Sequence, residues 1–166
     1  MSLSIIVPVY NESENINPFT DRVLLVLNKI NVKYEIIFVL DPSEDDTENK
    51  ILDLIKKNPN IKLIKFSRRF GQPSALLAGI KNSSMDNVVL IDVDLQDPPE
   101  LIEQMYEDRK EGYETILAKR SKKKGENIIK KIISDIGYFL IYKLSDTNIP
   151  RNVGEFRLIS RRVVKE

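Results

Sequence analysis

Two kinds of apolar pattern alternate along the chain. Short continuous runs rich in β-branched residues occur at 3–9, 34–40, 61–66, 88–91 and 115–118, and they read as strands buried on both faces. Between them, apolar residues recur every three or four positions, the spacing of an amphipathic helix. Phe19, Val23, Val26, Leu27 and Ile30 share one such face, with Asn17-Pro18 as its cap and first turn. Ile51, Leu54 and Ile55 mark a shorter helix, stopped by Asn58-Pro59-Asn60. Pro73 opens another through Ala75, Leu76, Leu77 and Ile80. Leu101, Ile102 and Met105 point inward from a further helix that Gly112 closes. Strand alternating with helix implies an α/β fold with a mainly parallel sheet flanked by helices and joined by right-handed crossovers. No repeat or low-complexity linker breaks the pattern, so residues 1–166 read as a single domain.

The fourth strand ends in Asp92-Val93-Asp94-Leu95-Gln96-Asp97-Pro98-Pro99-Glu100. If the extended backbone persists, Asp92 and Asp94 leave the same side of it, and Gln96 follows. Two carboxylates that close repel one another unless a cation lies between them. Ligands that are all oxygen favour Mg²⁺ or Mn²⁺ over zinc. Asp97 then suits an N-cap, with Pro98 at the first helical position. The other reading is a plain strand end, where Asp and Pro are common, because a D-x-D is a short motif. Ligands of open α/β sheets bind at the carboxyl ends of strands, and two other strands end in polar clusters. Asp41-Pro42-Ser43-Glu44-Asp45-Asp46-Thr47 follows the second and Ser67-Arg68-Arg69-Phe70-Gly71-Gln72 the third. The acidic cluster reads equally well as a solvated turn with a helix cap.

Composition narrows the chemistry. A hydrophobic content of 42% with 31% charged residues supports a packed core and argues against a membrane-embedded or disordered chain. A net charge of +1 carries no nucleic-acid signal. The absence of Cys and His excludes thiolate nucleophiles, disulfides, ordinary zinc sites and Ser-His triads. The six glycines form neither a G-x-G-x-x-G nor a P-loop, so a bound nucleotide must rely on carboxylates and a metal. No signal peptide is evident, and no apolar run approaches the length of a membrane span. From Lys119 onward bases outnumber acids. Ile128, Ile129, Ile132, Ile133, Ile136, Phe139 and Leu140 recur there at helical spacing, with Lys130, Lys131 and Lys143 among them. Such a helix either packs its isoleucines on the sheet or rests on an anionic membrane surface.

Taken in order, Ser4-Ile5-Ile6-Val7-Pro8-Val9-Tyr10-Asn11-Glu12, Phe66-Ser67-Arg68-Arg69-Phe70-Gly71, the Asp92 to Glu100 stretch and Ile149-Pro150-Arg151-Asn152-Val153-Gly154-Glu155-Phe156-Arg157-Leu158 resemble the family 2 glycosyltransferases with the GT-A fold. More narrowly, they resemble the polyprenyl-phosphate glycosyltransferases, the group of dolichol-phosphate mannosyltransferase and the bactoprenol glucosyltransferases. The resemblance implies transfer of a sugar from a UDP- or GDP-linked donor to a polyprenyl phosphate, dependent on Mg²⁺ or Mn²⁺ and inverting. It implies that Pro8, Tyr10, Glu12, Asp41, Asp92 and Val93 bind the nucleotide sugar. By the same resemblance Asp94 and Gln96 are metal ligands, Asp94 and Glu155 are catalytic, and Arg120, Lys130 and Ser134 hold the acceptor phosphate. The full-length protein is then expected at the cytoplasmic face of a membrane, continuing into transmembrane helices, with this portion soluble, self-association allowed and a role in cell wall biogenesis. The chain departs from the family where Asp-Asp-Gly-Ser is usual: it has Leu40-Asp41-Pro42-Ser43, one carboxylate fewer and a stiffer turn. Asn152 and Glu155 stand where relatives commonly carry Asp.

The acceptor chemistry separates the alternatives. A hydroxyl acceptor needs a general base, and without His only Asp or Glu serves, Glu155 being the candidate. A lipid phosphate, with a second pKa of about 6, is already ionised and needs cations instead. Arg120, Lys130 and the lysines at 122–124 meet that need. A soluble or protein hydroxyl acceptor, and a nucleotide-sugar-binding domain without turnover, are the other readings. Leu40 and Pro42 speak for the last.

Overall fold

The computed structural model describes residues 1–119 and 153–166. The chain divides into two compact units, Met1–Leu117 with Glu155–Glu166, and Ala118–Gly154. Most of the second lies outside the described residues.

The elements run β1 (Ser2–Val9), α1 (Ser13–Lys29), β2 (Lys33–Leu40), α2 (Thr47–Lys57), β3 (Ile61–Lys65), α3 (Gln72–Asn82), β4 (Asn87–Leu90), α4 (Leu101–Lys110), β5 (Thr115–Lys119), β6 (Val153–Ser160) and α5 (Arg161–Lys165). The sheet order is β3-β2-β1-β4-β6-β5. The β1–β2, β2–β3 and β1–β4 pairs are parallel, as strand–helix alternation requires, while β6 joins β4 antiparallel from Asn87↔Ser160 to Leu90↔Arg157. The core strands are apolar on both faces: Ile5, Ile6, Val7, Ile36, Phe38, Val39, Val88 and Val89 are all fully buried. That is the reason they show no polar alternation.

The chain winds outward from β1 through β2 to β3, then returns to lay β4 on the other side of β1. Strand order therefore reverses between β1 and β4, the place where open α/β sheets form a crevice. β2 follows β1 to Val9↔Leu40, whereas β4 pairs with it only as far as Ile6↔Leu90. Past Ile6 the two strands part.

Several boundaries differ from those the sequence suggests. α1 starts at Ser13, and Pro18 lies inside it. Its first turn is capped from a distance: Ser13 N donates to Asp45 Oδ2 at 2.9 Å, and Glu12 N donates to Thr47 Oγ1 at 2.9 Å. A cap supplied from more than thirty residues away has no local signature. α4 starts at Leu101, so Asp97 is not its N-cap. Pro99 disfavours helical backbone at Pro98, and the chain makes turns there instead, with Leu101 N bonded to Pro98 O and Ile102 N to Pro99 O. Leu101 is consequently exposed, and Ile102, Met105 and Tyr106 are the residues α4 buries. Gly112 ends α4 as expected. It has φ 106°, and its N bonds Arg109 O while Tyr113 N reaches Asp108 O, the paired bonds of a Schellman end.

α3 lies on β1 and β2. Gly79 allows this, since a Cβ there would collide with Ile6 Cγ2 and stand 3.3 Å from Val39 Cγ2. On α1, Arg22 grips Glu100 through Nε at 2.9 Å and Nη2 at 2.6 Å, and Lys29 meets Glu103 at 2.7 Å. Glu35 is an acid the apolar pattern of β2 concealed. Its carboxylate is 1% exposed and takes bonds from Ser4 Oγ at 2.6 Å, Lys62 Nζ at 2.6 Å, Ser84 N at 2.6 Å and Ser84 Oγ at 3.0 Å. Burial opposes its ionisation, but the Lys62, Ser4 and Ser84 bonds outweigh that and lower its pKa to about 2.

Candidate functional site

A cavity of about 220 Å³ opens where β1 and β4 part. Pro8, Tyr10 and Glu12 form one wall, at the end of β1 and just beyond it. Asp41 closes the β2 side, and Gln72 and Ala75 bring in the start of α3. Asp92, Val93 and Asp94 complete it after β4. All six residues expected around the nucleotide sugar therefore line one cavity, together with Asp94.

Both aspartates lie beyond the last residue of β4. β4 stops at Leu90, Ile91 N makes a last bond to Ile6 O at 3.2 Å, and the backbone then turns. Leu95 takes a left-handed φ of 59°, and Asp94 Oδ1 accepts from Gln96 N at 3.0 Å. Asp92 and Asp94 both line the cavity, and the left-handed turn comes just after them. Gln96 is exposed, and its backbone rather than its side chain makes the recorded contact with Asp94.

Burial pushes the Asp92 carboxyl above its ordinary pKa, and the charge of Asp94 adds to the rise. A bond from Gln72 Nε2 at 2.7 Å opposes it, and the charges of Asp97 and Glu155 push it up further. Such a cluster favours a cation. Among the described residues no group of three His, Cys, Asp or Glu is placed to hold a metal. Two carboxylates fit Mg²⁺ or Mn²⁺ all the same, because such ions are commonly bound by one or two carboxylates with substrate phosphates completing the shell.

The remaining walls are held by loop-to-loop bonds. Asp41, 4% exposed, accepts from Phe70 N at 3.0 Å through Oδ1 and from Gly71 N at 2.9 Å through Oδ2. It both faces the cavity and anchors the segment entering α3. Asn11, at φ 53°, donates from its N to Ser43 Oγ at 3.0 Å and accepts from Glu44 N at 2.9 Å. Glu12 accepts from Asn15 Nδ2 at 2.7 Å. Burial opposes ionisation of Asp45, yet bonds from Thr47 and Ser13 bring its pKa down to about 2. The cluster after β2 is thus chiefly a clasp on the loop after β1. Arg69 stacks on the Tyr10 ring, its guanidinium carbon 4.0 Å from the ring centre.

Glu155 lies outside the cavity lining. It is exposed and paired with Arg157 Nη2 at 2.8 Å, though near enough to act on Asp92 through its charge. Arg120, Lys130 and Ser134 lie outside the described residues. Gln72 and Ala75 were missed in the sequence. Their position just after a strand end was the available signal, but a neutral amide and an alanine attract no chemical notice.

The model of glycosyl transferase family 2 matches residues 4–166. An uncharacterized glycosyltransferase of Synechocystis sp., sll0501, is 40% identical over 164 residues, 99% of this chain and 52% of that protein. The bactoprenol glucosyl transferase of Shigella phage SfV is 40% identical over 165 residues, 99% of this chain and 54% of that protein. The chain thus spans about half the length of these relatives. Among solved structures, the mannosyltransferase PcManGT of Pyrobaculum calidifontis in complex with GDP-Man and Mn²⁺ aligns with a TM-score of 0.68 at 19% identity, over 98% of this chain and 45% of that one. That likeness identifies the fold as GT-A. By sequence and fold together, the chain belongs to glycosyl transferase family 2.

Proposed function

We propose that the chain carries the donor site of an enzyme that transfers a hexose from a UDP- or GDP-sugar to a polyprenyl phosphate. The observation that carries this reading is the single cavity at the β1/β4 reversal, where Asp92 and Asp94 crowd together beside Tyr10, Glu12 and Asp41. The kinship with bactoprenol glucosyl transferases supports the lipid phosphate as acceptor.

Asp94, with Gln96 from the same turn, would hold Mg²⁺ or Mn²⁺, whose contribution when bound is to neutralise the charge developing on the leaving diphosphate. Pro8, Tyr10, Glu12, Asp41, Asp92 and Val93 fix the donor so that its anomeric carbon is presented to the acceptor. An ionised phosphate needs no general base. Glu155, paired with Arg157, is the carboxylate we assign beside the reacting sugar. Arg120, Lys130 and Ser134 hold the acceptor phosphate, and direct displacement inverts the anomeric centre. A lipid acceptor places the reaction at a membrane surface, on the side that supplies nucleotide sugars.

The test is transfer of labelled hexose by the full-length protein from UDP-glucose or GDP-mannose to undecaprenyl phosphate, with Mn²⁺ and with EDTA. A metal-dependent lipid-linked product of inverted configuration is expected. Transfer to free sugars alone, or retained configuration, overturns the acceptor or the mechanism respectively.

A further inference from the structure

Gln72 stands on the cavity wall as the first residue of α3. Its Nε2 donates to Asp92 Oδ1 at 2.7 Å, and among the described residues it is the one hydrogen-bond donor to that carboxylate. The amide nitrogen of Gln72, not its oxygen, faces Asp92. The place of Gln72 is itself prescribed. Asp41 grips the two backbone amides just before it, Pro73 sets the backbone just after it, and Ala75 is buried at 2% exposure. Asp92 sits among the negative charges of Asp94, Asp97 and Glu155. A neutral amide restrains it without placing a positive charge where a cation is to sit.

We propose that Gln72 is a positioning residue of the donor site, fixing one oxygen of Asp92 so that the other is presented to the nucleoside diphosphate. The assignment rests on the donor reading of the cavity given above. The experiment is titration calorimetry of the full-length protein with UDP and GDP in the presence of Mn²⁺. Gln72→Met keeps the length of the side chain and removes the donor. It is expected to weaken nucleotide binding about tenfold, the scale of one hydrogen bond to a charged group, with the melting temperature unchanged. Gln72→Asn keeps an amide on an arm one methylene shorter and is expected to lose a similar amount, so it serves if Met disturbs α3. Because Gln72 acts through Asp92, the Gln72→Met/Asp92→Ala double variant should bind no more weakly than Asp92→Ala alone. Wild-type affinity in both Gln72 variants, or losses that multiply in the double variant, overturns the assignment while leaving the donor site standing. If the unsubstituted protein binds neither nucleotide, the donor reading fails and this assignment with it.

Discussion

Removing the charge of Glu35 should cost the chain much of its stability, and the loss should depend on pH. The Glu35 carboxylate is 1% exposed and ties together Ser4 of β1, Lys62 of β3 and Ser84 in the turn before β4. Its pKa falls from 4.5 to about 2 in the folded chain. At about 1.4 kcal/mol per pH unit, that difference contributes roughly 3 kcal/mol at neutral pH. Breaking a buried ion pair from one side costs about 3–5 kcal/mol, the same order. A folded pKa below the unfolded one stabilises fully above the unfolded value, and that stability is lost as pH falls through the folded value. Glu35→Gln keeps the shape and removes the charge. Urea unfolding at pH 7 should show it about 3 kcal/mol less stable than wild type, with the gap narrowing steadily from pH 5 towards pH 2. Lys62 is half exposed, so Lys62→Met should cost less, because water can replace part of its role. A gap that stays constant between pH 7 and pH 3, or no gap at pH 7, would refute the reasoning.

Asp94→Asn should abolish Mn²⁺-dependent binding of the donor nucleotide in calorimetry; unchanged binding would remove Asp94 from the metal site. Arg120→Ala should raise KM for the lipid phosphate while leaving donor affinity nearly intact, and a fall in donor affinity would move Arg120 to the diphosphate. Gly79→Ala drives a methyl into Ile6 Cγ2, so thermal unfolding should show a net loss of about 1–2 kcal/mol, overpacking exceeding the gain in helix propensity. An unchanged or raised melting temperature would mean that Ile6 yields freely.

The order of the elements was legible because β-branched runs buried on both faces and helical stripes differ in period, and period is a local property. The polar clusters at strand ends were legible too, and the family's motifs lie in them. Tertiary structure decided what each cluster does. Asp41 and Asp45 look alike in the sequence, yet Asp41 faces the cavity and grips the Phe70 and Gly71 amides, while Asp45 caps a helix thirty-two residues upstream. Asp92 and Asp94 were found by their spacing, but only the folded chain shows that they share a cavity with Tyr10, Glu12 and Asp41, beyond the end of β4. Glu35 sat unremarked in an apolar run, because its partners lie on other strands and turns. Backbone and side-chain periodicity are written between neighbours in the chain; hydrogen bonds and charge pairs are settled between neighbours in space, and only the folded sheet says which residues those are.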